Sequence, residues 1–125
     1  MNFRQVFLLI TAIGLIPIAL SYGVIPQKSL NFLFGIEVST RNGLHIFRAI
    51  MGLYLALSLF WIIGAINVQL RQSALYSLVV FMLGLAAGRV LSLIIDGMPH
   101  WLLFVYLVLE IFFGTIGAVL LRKSD

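Results

Sequence analysis

ALYSLVVFMLGLAAGRVLSLII-DGMPH-WLLFVYLVLEIFFGTIGAVLL, residues 74–121, decides the fold. Two apolar runs, 74–95 and 101–121, flank Asp96-Gly97-Met98-Pro99-His100. A membrane-crossing helix needs about 20 mostly apolar residues, and each run supplies them. Gly97 suits the left-handed cap of a helix end, and Pro99 suits the opening of the next helix. A link this tight makes the two helices antiparallel neighbours. Working outward, residues 44–66 and 6–25 form two further apolar runs of membrane-crossing length.

Composition agrees. Of the 125 residues, 62% are hydrophobic and 10% charged, against about 25% charged in soluble domains. Lipid must therefore solvate much of the surface. The sequence predicts an all-α membrane protein, a four-transmembrane-helix bundle with helices at about 6–25, 44–66, 74–95 and 101–121, in a single domain over 1–125. The net charge of +4 comes from scattered basic residues, without the patch or stripe of a nucleic-acid binder. The chain has no cysteine, which excludes disulfides, thiol catalysis and thiolate metal sites.

The first run has a small-x-small triplet, Ala19-Leu20-Ser21, that a signal peptide would use. Its apolar character continues through Val24 and Ile25, which favours a span. With the N-terminus in the cytoplasm, the inner segments carry Arg4, Arg71, Arg122 and Lys123, and the outer ones Lys28 and Arg41. The positive-inside rule then places both termini in the cytoplasm. Residues 26–43 become an outer loop and a candidate lid. Within it Leu30, Phe32, Phe34, Ile36 and Val38 alternate, the period of a strand; Leu33 and Gly35 break the pattern, and a short helix lying on the membrane is the alternative.

The ionisable residues at membrane depth are the most informative. Arg48, Arg89 and Glu110 lie inside apolar spans, and Asp96 at the outer end of one. Such a charge costs at least about 2.5–3.5 kcal/mol to insert, so it is expected to face the bundle with a partner and to mark function. Side chains tilt toward the N-terminus of their own helix. On antiparallel helices Arg89 leans deeper and Glu110 leans outward, so their tips should meet in the outer half. Arg89, Ser92 and Asp96 share one stripe, Tyr106, Glu110, Gly114 and Gly117 a second, His45, Arg48 and Gly52 a third, and Thr11, Gly14, Pro17 and Ser21 fall within a broad arc on the first helix. Gly84 and Gly88, and Gly52 with Ala56, are expected to pack helices closely. Trp101 and Tyr106 fit an interfacial aromatic belt.

The expected ligand-binding or buried polar network is His45, Arg48, Arg89, Ser92, Asp96, Tyr106 and Glu110. No catalytic or metal-ligating set stands out: His45, His100, Asp96 and Glu37 lack metal-site spacing. No cofactor is expected. The partners expected are membrane lipids, a small anionic or amphiphilic ligand, and an oligomer or larger membrane complex, with no nucleic acid.

Arg48-Ala49-Ile50-Met51-Gly52-Leu53-Tyr54, the run from Gly88-Arg89 through Ser92 to Asp96-Gly97-Met98-Pro99, and the later Glu110 carry a resemblance over nearly the whole chain. The sequence resembles the bacterial domain of unknown function 4345 family of small four-helix integral membrane proteins. That resemblance implies a bacterial inner-membrane location and no established activity. Small multidrug exporters place their glutamate in the first helix, which has no acid here, and the glycine and phenylalanine pattern of small fluoride channels is not found. The functional expectation is an outward-opening polar pocket that binds or transports a small polar or amphiphilic ligand. The alternatives are an accessory subunit whose charges only hold the bundle, and a membrane enzyme acting on a lipid or quinone.

Overall fold

The structure, a computed structural model, describes residues 1–123, so the last two residues of the expected domain lie outside the described residues. Five helices follow one another: α1 (Phe3–Gly23), α2 (Pro26–Phe34), α3 (Arg41–Ile66), α4 (Val68–Asp96) and α5 (Trp101–Leu121). All but α2 are long and apolar enough to cross a membrane. The fold is all-helical, with no strand among the described residues. The start of α1, the α3–α4 junction and the end of α5 share one end of the bundle, the terminal end. At the other, the loop end, lie α2 and the link from α4 to α5.

Each of the four long helices begins on a side chain that accepts a backbone N–H otherwise left without a partner. Asn2 and Gln5 form a reciprocal capping box on α1. Thr40 accepts from Gly43 on α3, and His100 Nδ1 from Leu102 on α5. Pro99 thus precedes the cap instead of opening the helix. The link expected at 67–73 shrinks to one residue. Asn67 ends α3 with an extended backbone and caps α4 by accepting from Gln69.

The alternating stretch from Leu30 begins inside a helix. Pro26 opens α2, where its missing N–H costs nothing. Gly35 closes it at φ +70°, and its N–H reaches the Asn31 and Leu30 carbonyls. Pro26, Leu30 and Phe34 are buried at a spacing of four, so the helical period decides the side that packs.

The core runs down one face of each long helix. Without a large hydrophobic drive between helices in lipid, association depends on close fit. Four glycines provide it, the first being Gly23 of α1, where a Cβ would lie 2.4 Å from the Met51 Cβ of α3. A Cβ on Gly64 would lie 2.4 Å from the Ala74 Cβ, one on Gly114 2.6 Å from Leu83, and one on Gly117 2.8 Å from Val79. Trp61, fully buried between α3 and α4, donates its Nε1–H to Ser77 Oγ at 3.0 Å. Gly84, Gly88 and Gly52, expected to pack, have no neighbour within 4 Å of where a Cβ would stand. Gly84 and Gly88 instead border a recess between α4 and α5, opposite Leu103, Phe104 and Leu107, and Gly52 is exposed on α3. α1 packs most closely on α3, α3 on α4 and α4 on α5. α1 and α5 do not pack extensively; they meet through Phe7 and Phe113, whose ring centroids are 5.8 Å apart.

Candidate functional site

Arg89 of α4 and Glu110 of α5 form an ion pair. Arg89 Nε donates to both Glu110 carboxylate oxygens, at 2.9 and 3.1 Å. Arg89 lies seven residues from the loop end of α4, and Glu110 nine from that of α5. At about 1.5 Å per residue the pair sits about 10–14 Å inside that end. Glu110 is buried, while 22% of the Arg89 side chain is exposed. Guanidinium carries five N–H donors. Nε alone is used on Glu110, so most of the terminal donors remain for other acceptors. The Tyr106 ring lies under the guanidinium, 5.8 Å from carbon to centroid, a cation–π arrangement. Tyr22 and Tyr54 stand near enough to interact with it electrostatically.

Beside the pair is a cavity of about 110 Å³. Arg89, Glu110, Tyr106, Tyr54 and Thr11 form its polar part, and side chains such as Ile10, Leu85, Leu109 and Phe113 the rest. Its lining comes from α1, α3, α4 and α5 and includes nothing from α2. Thr11, part of the lining, donates its hydroxyl back to the Phe7 carbonyl. Toward the loop end the way is covered. Phe34 of α2 packs on Tyr22, Tyr106 and His100 at centroid distances of 6.4, 5.9 and 6.2 Å. Tyr22 in turn packs on Tyr54 at 5.5 Å. The outward mouth expected from the sequence is therefore roofed by aromatics. The looser seam is lateral, between α1 and α5, where Ile10, Gly14 and Leu109 are both exposed and part of the lining.

The other residues of the expected network lie outside this cavity, though Ser92 borders a second recess with Arg89, between α4 and α5. Ser92 donates to Asp96 at 2.6 Å along one side of α4, and both are exposed. His45 and Arg48 are exposed on α3. The face α3 buries runs through Tyr54, Ser58, Trp61 and Ala65, which turns the stripe of His45, Arg48 and Gly52 away from the bundle. Of the expected network, the cavity collects Arg89, Tyr106 and Glu110, and it adds Tyr54 and Thr11.

A family model described as Domain of unknown function (DUF4345) matches residues 3–121, which takes in all five helices. The chain belongs to that family. No curated protein and no solved structure matches it.

This DUF4345 member also holds a polar cluster at the terminal end that sequence reasoning missed. Arg4 and Arg71, read from sequence only as signals of orientation, are buried at 7% and 5% exposure. Arg71 donates to the Gly64 and Ala65 carbonyls at 3.2 and 3.0 Å, where α3 leaves its last carbonyls without helical partners. Gln5 also donates to the Ala65 carbonyl, Arg4 bonds to Gln72, and Gln72 reaches the Leu121 carbonyl. Cations at helix C-termini are favoured by the helix dipole. No signal in the sequence pointed to it, because the one-residue junction that leaves the end of α3 with no loop to satisfy it emerges only in the structure.

Proposed function

We propose that this chain is a multi-pass protein of a bacterial cytoplasmic membrane, with both termini cytoplasmic, whose Arg89–Glu110 cavity binds or transports a small polar or amphiphilic ligand. The carrying observation is a guanidinium, paired through Nε with its counter-ion, in the wall of a cavity otherwise lined largely by apolar groups. Few polar groups in an apolar recess is the usual composition of a small-molecule site. Because Glu110 already neutralises Arg89, the site favours a ligand that offers a carbonyl, hydroxyl or weakly charged oxygen on an apolar body. Such a molecule partitions into the bilayer and reaches the cavity through the seam between α1 and α5. The ion pair then fixes both the position and the orientation of its polar end.

The test fills the cavity without touching the pair. A Cβ at Gly14 meets nothing within 4 Å, and Gly14 lines the cavity. Gly14→Leu should therefore fold and keep its thermal stability. Amphiphiles from the native membrane that co-purify with the wild type, read by native mass spectrometry, should be lost from this variant. Retention of the same amphiphiles by Gly14→Leu would overturn the reading. A second reading, that the pair serves only to hold α4 against α5, is favoured by its internal neutrality and predicts no specific amphiphile in the wild type either.

A further inference from the structure

Arg41, His45 and Arg48 stand at i, i+4 and i+7 on α3, one stripe down a single helix face. With Leu44 they border a recess of about 240 Å³, separate from the Arg89–Glu110 cavity. All three are exposed, and none forms a hydrogen bond or ion pair among the described residues. Glu37, just upstream in the link from α2, is exposed and pairs with none of them. Nothing in the helix itself explains cations here. The first turns of a helix favour negative charge, and α3 has no acid in its first turn.

Depth makes the demand stronger. Arg48 lies seven residues into α3, about 10 Å along its axis. A bilayer core is about 30 Å thick, and α3 at 26 residues is about 39 Å long. Centred in that core, α3 extends about 4–5 Å beyond it at each end, so Arg48 sits about 6 Å inside the hydrocarbon, where an arginine reaches upward to the headgroups and needs an anionic acceptor. Immediately below it the exposed face becomes apolar and low in relief: Ala49, Gly52, Leu53, Ala56 and Leu59. Gly52 leaves open space beyond its backbone.

We propose that this stripe is a phosphate-binding site for an anionic glycerophospholipid. The phosphate is held between Arg41 and Arg48, with His45 at its side, and an acyl chain lies along Gly52, Ala56 and Leu59. Arginine is suited to such a site because its planar fork matches phosphate oxygens in pairs. A free phosphate would satisfy the same cations but would gain nothing from the apolar face below.

The experiment places the full-length protein in mixed micelles and reads bound lipid by native mass spectrometry. Phosphatidylglycerol competes against phosphatidylcholine, with and without millimolar inorganic phosphate. The wild type should retain phosphatidylglycerol preferentially, and inorganic phosphate should not abolish the preference. The preference should fall about fivefold for each arginine removed, in Arg41→Gln, Arg48→Gln and the double variant. Arg48→Lys should restore part of it, which a purely structural defect would not allow. Lys28→Gln, a control exposed on α2 outside the stripe, should leave it unchanged. Equal retention of the two lipids by the wild type would overturn the proposal. So would an undiminished preference in the double variant, an equal loss in Lys28→Gln, or complete displacement of the lipid by inorganic phosphate.

Discussion

Arg89 and Glu110 meet because side chains lean toward the N-terminus of their helix and these two helices run in opposite directions. The sequence carried that contact. It did not carry the fate of Arg48. The rule that intramembrane charge faces the bundle fails near a helix end, where a long side chain can reach headgroups without a protein partner. Removing one member of a buried pair strands the other, at about 3–5 kcal/mol. Arg89→Gln and Glu110→Gln should each lower stability in detergent by about that much. The double variant should lose less than their sum, because the second change removes the stranded charge. Thermal unfolding of the four proteins checks this, and strict additivity would contradict direct contact. Arg48→Gln, exposed and without a protein partner, should leave the unfolding temperature in detergent nearly unchanged.

At the scale of the elements, four apolar runs were enough to locate four helices, because length and hydropathy are local properties. The sides they present were harder to read. Gly84 and Gly88 have the spacing of a packing motif, yet the close approaches occur at Gly23, Gly64, Gly114 and Gly117. Spacing identifies a helix face but does not say which neighbour it meets. Gly64→Ala forces its new methyl against Ala74 and should cost about 1–3 kcal/mol, as overpacking does. Gly84→Ala meets open space and should be neutral or stabilising by up to about 1 kcal/mol, since glycine is a poor helix former. Unfolding midpoints of the two variants in one detergent compare them directly. For α2, the alternation of Leu30, Phe32 and Phe34 suggested a strand, with a short helix as the alternative. Pro26 and Gly35 decide for the short helix, which brings Phe34 over Tyr22 and Tyr106.

For the whole molecule, both the seam between α1 and α5 and the aromatic roof depend on helix contacts far apart in the chain. No local pattern encodes them, which is why the sequence suggested a mouth at the loop end. Orientation follows from charge. Arg4, Arg71, Arg122 and Lys123 cluster at the terminal end, against Lys28 and Arg41 toward the other, so the terminal end should face the cytoplasm. A cysteine at Met98, exposed in the α4–α5 link, should react with a membrane-impermeant thiol reagent added to intact cells; labelling only after lysis would reverse the orientation. The central claim, that the Arg89–Glu110 cavity receives an amphiphile from the bilayer, is tested most directly by an experimental structure of the protein in lipid nanodiscs made from its native membrane. The account predicts elongated non-protein density between α1 and α5, with a polar end within hydrogen-bond distance of the Arg89 guanidinium. A closed α1–α5 seam, with the Arg89 donors satisfied by protein alone, would contradict it.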